Sequence, residues 1–327
     1  MSNSQVRHRR SPFHFFFSPR RRLREIAEDM LKLLYHYEAE GHTANPRRVR
    51  DEIGGSKKVV DKAYSLLLQE GLIYPPLTLS DQGRQRALQL IRRHRLYETY
   101  LAEHSGFAPD EWHSQAERVE HCIDREEEER ISSILRHPRY DPHGDPIPDS
   151  DGAIPKSESQ SLAIHIQEPT FFSITHVEDQ PEVLFSLMVE MGLAPGVVIR
   201  AEAEKQGSLV VVVDGRREVL SPAMRSRISI RGPLSADTVA REQGCIRLSN
   251  LPKGSKARIV GLSELCRGAN RRRLLDLGFV PGSEVCIDLT SPLGNPTAYL
   301  VRGSTIALRK DQAAYIRVKP VQRENRT

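Results

Sequence analysis

His113, Glu117, Glu120 and His121 fall at spacings i, i+4, i+7 and i+8, which places all four on one face if the segment is helical. Upstream, His94 and Glu98 are again i, i+4. Antiparallel packing of the two predicted helices would bring six ligating groups face to face. All six are imidazole or carboxylate, with no thiolate, a set that suits Mn2+ or Fe2+ better than structural Zn2+; the histidines make an all-oxygen Ca2+ or Mg2+ site less natural. One His-x-x-x-Glu pair alone would be read as a solvated face or an ion pair, since Arg118, Arg125 and Arg130 lie nearby. Four ligand types on one face and a second pair upstream favour metal. Glu126 to Glu129 are consecutive, so they point around the helix and read as a solvated helix start rather than as ligands.

The elements that must position these groups follow from pattern. Helical periodicity runs from Arg24 to about His36, and the "GHTAN" stretch breaks it. Pro46 suits the first turn of a second helix capped by Asn45. A Gly-Gly turn leads to a third helix, capped by Ser56 and carrying Lys57, Lys58 and Lys62. This is a helix-turn-helix pattern, in which Ser56 and the three lysines would meet DNA, although any small three-helix unit with solvated lysines would look similar. "LIYPPLTLSDQG" would be a short wing, with Ser80 or Asp81 capping the next helix. The spacing predicts that helix over Asp81 to about Ser105, then another from Pro109 to about Leu135. "HPRYDPHGDPIPDSDGAIP" reads as a surface loop and linker.

Beyond it the texture changes to strands, with an internal repeat. "MGLAPGVVIRAEA" and "LGFVPGSEVCIDL" match with Gly192 against Gly278, a spacing of 86 residues. Each is preceded by a short helical stretch and followed by a turn and further strands, so two copies of a small β-barrel are the simplest account. The predicted fold class is multidomain α+β: a basic flexible tail (1–22), a winged helix-turn-helix (23–92), a helical metal-binding domain (93–148), a linker (149–160), a first small β-barrel (161–232), a linker (233–245) and a second barrel (246–320).

Charge distribution agrees with a polyanion-attracting front and a cation-holding middle: residues 1–62 carry 14 Lys and Arg against 8 Asp and Glu, residues 93–151 carry 7 against 15. The net charge is +5, the apolar fraction 38%, and no apolar run approaches a membrane span. Four scattered cysteines without a C-x-x-C pair suggest neither a disulfide framework nor a thiolate site, and a reducing cytoplasm fits best. "FHFFFSP" between basic clusters reads as an aromatic, basic tail. A Gly-rich phosphate loop, G-x-S-x-G and H-E-x-x-H are all absent, so the expectation is a protein that is not an enzyme.

"HRLYETYLAEHSGFAPDEWHSQAERVEHCI" and "HPRYDPHGDPIP" resemble the metal-binding and dimerisation segment of the diphtheria toxin repressor family, the metal-dependent bacterial regulators of iron and manganese uptake. The resemblance runs from about Leu23 to Pro148. The two barrel copies resemble the family's SH3-like third domain and FeoA, the small cytosolic component of bacterial ferrous-iron uptake. The resemblance implies a primary metal site of Asp29, Glu117, Glu120 and His121. It also implies a second site of His94, Glu98 and His113 with a carboxylate from the first barrel, for which "THVEDQPE" offers Glu178. In the manganese-responsive branch a further acid lies one turn beyond Asp29; Lys32 stands there instead. The oxygen-rich set leans toward Mn2+ and the FeoA-like barrels toward Fe2+.

The function so implied is a homodimeric, Fe2+- or Mn2+-dependent repressor of metal-uptake genes that binds operator DNA. The alternative is a metal-sensing adaptor without DNA binding, acting on a metal transporter through its FeoA-like barrels. "CRGANRRRLLDLGF", a basic helix that could dock an acidic partner or merely cover its barrel, keeps that alternative open.

Overall fold

The computed structural model describes residues 19–156, 158–205 and 207–321. The aromatic, basic tail lies outside them. The chain divides into two units: one holds the described residues up to Arg92 with Ser150–Gly152, the other Arg93–Asp149 and the chain from Ala153 onward.

The first unit is built from α1 (Pro19–Ala39), α2 (Pro46–Ile53), α3 (Lys57–Gln69), strands β1 (Ile73–Tyr74) and β2 (Thr78–Leu79), and the first turns of α4 (Asp81–His104). One core closes this unit: Ile26, Met30, Leu34, Val60, Ala63, Leu67, Ile73 and Leu79 are all buried in it. Pro46 occupies the first turn of α2, and the Asn45 side chain accepts the Arg47 N–H at 2.9 Å, satisfying one of the donors a helix start leaves open. Ser56 holds the corresponding position before α3 but makes no such bond. The antiparallel pair β1–β2 is the wing, two residues a side. Ser80 closes it, its Oγ donating to the Gly71 carbonyl at 2.7 Å and accepting the Gly83 N–H at 3.0 Å.

In the second unit the predicted helix from Pro109 to Leu135 is interrupted. A 3-10 turn (Pro109–Glu111) leads into α5 (Trp112–Val119), a second 3-10 turn covers Glu120–Cys122, and α6 (Arg125–Ile134) starts afresh. The cause is local: Ile123 is buried, Asp124 is extended, and its side chain accepts the Glu127 N–H at 2.8 Å. Asp124 is therefore a new N-cap, and Glu126 to Glu128 in the first turn of α6 favour the helix dipole. Glu128 also pairs with Arg93 at 3.0 Å.

Two six-stranded sheets complete this unit. The first comprises β3 (Gln160–Ser161), β4 (Thr170–Val177), α7 (Glu182–Met191), β5 (Val198–Lys205), β6 (Ser208–Val213), β7 (Arg216–Leu220), α8 (Pro222–Arg225) and β8 (Ile228–Arg231), ordered β3-β8-β4-β5-β6-β7. A helix, α9 (Ala236–Glu242), stands within the stretch expected to be linker. The second comprises β9 (Ile246–Arg247), β10 (Lys256–Leu262), α10 (Gly268–Asp276), β11 (Glu284–Thr290), β12 (Thr297–Val301), β13 (Ser304–Leu308), α11 (Lys310–Ala314) and β14 (Ile316–Pro320), ordered β9-β14-β10-β11-β12-β13. The orders are the same, strand for strand. Each SH3-like barrel has its own core, around Phe172, Ile174, Met188 and Val211 in the first and Ile259, Phe279, Val301 and Val318 in the second. No described helix is long and apolar enough to cross a membrane.

Candidate metal centre

The six residues of the helical segment expected to ligate metal do meet, but in two groups and not on one helix face. His94 and Glu98 sit one turn apart on α4, both buried. His113 enters from the first turn of α5, with its Nδ1 3.2 Å from Glu98 Oε1 and 3.3 Å from His94 Nε2. His94 Nε2 is in turn 3.0 Å from Glu98 Oε1. Glu120 and His121 lie on the 3-10 turn. There Glu120, fully buried, reaches the other nitrogen of the same imidazole, His94 Nδ1, at 2.5 Å, while His121 Nε2 stands 3.5 Å from Glu120 Oε1. Glu117 is the most exposed of the six and sits 3.3 Å from His113 Nε2. The His94 ring is therefore shared between the two groups.

The first barrel contributes a carboxylate, but it is Asp179 and not Glu178. Asp179 Oδ2 is 2.8 Å from His113 Nδ1, whereas Glu178 is exposed. β4 ends at Val177, and its alternation turns the first residue beyond it outward and the second inward. Sequence reading also missed His143. Its ring is buried, its Nε2 lies 3.9 Å from Glu98 Oε1, and that nitrogen has no hydrogen-bond partner among the described residues. Glu98, His143 and Asp179 form one candidate ligand triad, and His94, Glu98 and His113 another. Asp29 is half-buried on α1 in the first unit, and Ser56, Lys57, Lys58 and Lys62 are exposed at the start of α3 and along it.

Electrostatics suit a cation. Burial would raise the Glu98 carboxyl, but His94, His113 and His143 hold it well below the carboxylate range. Burial likewise opposes ionisation of Asp179, and His113 outweighs it, leaving its pKa lowered. His113 would itself be lowered by burial, yet Asp179, Glu117 and Glu98 push it up to about 12. His143 goes the other way, lowered chiefly by burial, so it presents a neutral imidazole. A buried and a half-buried carboxylate and three imidazoles, with ligand atoms of each triad within 4.8 Å of one another and one ring nitrogen unpaired, fit a divalent ion such as Mn2+ or Fe2+. When bound, such an ion would be held by these residues.

A winged helix-turn-helix unit, a buried histidine and carboxylate centre and two SH3-like barrels define the class. Residues 80–149 match the iron dependent repressor metal binding and dimerisation domain, and residues 246–320 the FeoA domain. The chain is 26% identical over 214 residues to the iron-dependent repressor IdeR of Mycobacterium leprae, a span covering 61% of this chain and 93% of that protein. It is 29% identical over 143 residues to the diphtheria toxin repressor of Corynebacterium diphtheriae, covering 40% of this chain and 63% of that one. A solved manganese-dependent transcriptional repressor in complex with manganese superposes with a TM-score of 0.57 at 28% identity, covering 63% of this chain and 99% of the other. The chain thus resembles the diphtheria toxin repressor family and carries a FeoA domain in addition.

Proposed function

We propose that the protein is a metal-activated, DNA-binding transcriptional regulator, a homodimeric repressor of metal-uptake genes responsive to Fe2+ or Mn2+. The observation that carries this reading is the buried centre of His94, Glu98, His113 and Asp179 in a chain whose first unit exposes Ser56, Lys57, Lys58 and Lys62 on and before α3. The second helix of a helix-turn-helix is the element that enters a major groove. The resemblance supplies Asp29 as the ligand that joins Glu117, Glu120 and His121. A metal held by that set would restrict the DNA-binding helices to one arrangement, so DNA affinity would rise because half-site spacing is preset instead of selected from many conformers.

The test is retention of DNA from the gene's own upstream region by the full chain, with chelator, with Mn2+, and with Fe2+ under anaerobic conditions. Retention that requires one metal and is lost in a Glu120→Ala, His121→Ala variant is expected. Absence of retention under every condition by folded, metal-loaded protein would overturn the repressor reading in favour of a sensor acting on a protein partner.

A further inference from the structure

We propose that the free edge of the second barrel, strand β13, is a docking site for an extended protein segment of apolar and β-branched residues with acidic residues at both ends. Only the second barrel is involved, so metal and DNA binding play no part in it.

β13 is the last strand of its sheet, paired with β12 on one side and, among the described residues, with no strand on the other. Arg302 and Gly303 join the two strands, both at positive φ, +48° and +81°, as in the two-residue turn that matches strand twist. Such a turn closes on a hydrogen-bonded pair, here Val301 with Ser304, and the bonding alternates from there. Thr305 and Ala307 therefore turn their N–H and C=O groups away from β12, toward the open edge.

Proteins usually guard such an edge with charge. The first barrel does so: the corresponding strand, β7, begins Arg216, Arg217, Glu218, with Arg216 paired to Glu218 and Arg217 to Glu202. β13 consists of Ser304, Thr305, Ile306, Ala307 and Leu308 and carries no charge. The sheet face beside it is apolar as well. Leu300 stands opposite Thr305, and Leu289 opposite Ala298, which in turn faces Ala307. Leu289 and Leu300 are 67% and 39% exposed, and Leu293, between β11 and β12, is 93% exposed. A strand added at β13 would take its main-chain bonds from Thr305 and Ala307 and extend this apolar face with alternate side chains.

Charge sets the ends of the partner. Arg302 precedes β13, Arg309 and Lys310 follow it, and all three are exposed. Two acids belong to the same region: Asp288 accepts the Thr305 hydroxyl at 2.7 Å, and Asp311 lies in the first turn of α11. Over residues 246–320 Lys and Arg outnumber Asp and Glu 13 to 5, whereas over 161–232 they trail 7 to 9. Five strand residues span about 17 Å, so a segment with acids just outside a five-residue apolar stretch would meet a cation at each end. A second copy of β13 fits worse. Antiparallel self-pairing about Ile306 would set Arg302 of one copy opposite Lys310 of the other, like charge against like.

The test uses the full-length chain and two dye-labelled nine-residue peptides. Both share a core of threonine and valine; one carries two glutamates at each end and the other two lysines. Fluorescence anisotropy should show the glutamate peptide binding about tenfold more tightly, with a gap that closes as salt is added. Hydrogen exchange at the Thr305 and Ala307 amides should slow on binding. Ala307→Pro removes an outward N–H without taking a bond from β12, and should cut affinity for the glutamate peptide about tenfold or more. Arg302→Asp with Lys310→Glu leaves the strand itself unaltered and should remove the advantage of the glutamate peptide. Binding of neither peptide, equal binding of both, or binding that leaves the Thr305 and Ala307 amides exchanging as before would overturn the proposal. So would protection of those amides that rises with protein concentration in the absence of peptide, which would assign the edge to a second copy of the chain.

Discussion

His113 is the residue through which metal and proton would be linked. Because its neighbours push it up to about 12, it is protonated across the neutral range in the metal-free protein. A ligating imidazole must give up that proton. Metal uptake should therefore release protons and tighten as pH rises, and calorimetry in buffers of different ionisation enthalpy measures both; pH-independent uptake would refute the assignment of His113 as a ligand. The same shifts set the stability of the metal-free centre. The raised His113 contributes fully below its unfolded value near 6.5 and is lost only as pH climbs through about 12. The lowered Glu98 and Asp179 contribute above the ordinary carboxylate range and are lost on acidification through their folded values. Chelated protein should thus melt at progressively lower temperature as pH falls below about 4, the unfolded carboxylate range. A second comparison tests which first-barrel carboxylate matters: Asp179→Asn should cost metal affinity, and Glu178→Gln should leave it unchanged in a Mn2+ or Co2+ titration. The sequence showed that an acid follows β4 but not which one. With a two-residue period, a shift of one residue at the strand end exchanges inside for outside.

At the scale of elements, the legible parts were those with local signals. The Asn45 cap, Pro46 in the first turn of α2 and the periodicity of α1, α3 and α4 all follow from short-range chemistry. The single helix expected over Pro109 to Leu135 failed for a reason also present in the sequence: Asp124 and Glu127 stand in the spacing of a helix start, and the run of histidines and glutamates at helical intervals masked it. That break moves Glu120 and His121 off α5, so Glu120 meets the far nitrogen of His94, with His121 beside Glu120, rather than extending the face of His113. Two predictions belong here. Lys58→Ala with Lys62→Ala should weaken DNA retention, lower the slope of log affinity against log salt by about 2 if both contact phosphate, and leave metal affinity intact. An unchanged salt slope would remove these lysines from the DNA-facing surface. Gly83→Ala should destabilise the first unit by about 1–3 kcal/mol, the usual cost of overpacking. The reason is that a Cβ there would sit 1.9 Å from the Leu72 carbonyl oxygen, where the chain enters the wing. Thermal melting gives the answer.

For the whole second unit, the repeat was readable because both copies need the same backbone turn: Gly192 and Gly278 end their helices at φ +87° and +91°. How the copies attach was not readable, since it depends on pairs far apart in sequence. Arg317 on β14 reaches Asp214 of the first barrel at 2.7 Å and also pairs with Glu242 on α9. Gly215 lets Ile246 approach so closely that a Cβ would lie 2.8 Å from its side chain. On the other side, Arg267 stands 3.4 Å from Glu103 near the end of α4. Arg317→Met would leave the Asp214 carboxylate, whose side chain is 6% exposed, with the longer 3.5 Å pairing to Arg247, at a cost of about 1–3 kcal/mol. Calorimetry should then resolve a separate, earlier transition for the second barrel; a single unshifted transition would show that the ion pairs do not hold it.

The shared strand order has an evolutionary consequence. Two adjacent barrels with the same wiring are what a tandem duplication leaves behind, and duplicated parts are free to diverge. The segment after β4 brings Asp179 to His113 in the candidate metal centre. At the position 86 residues on, after β10, stands Leu265, packed against the core of the first barrel. One copy carries an acid at the candidate metal centre, and its sibling carries a hydrophobe there and serves as its neighbour's buttress.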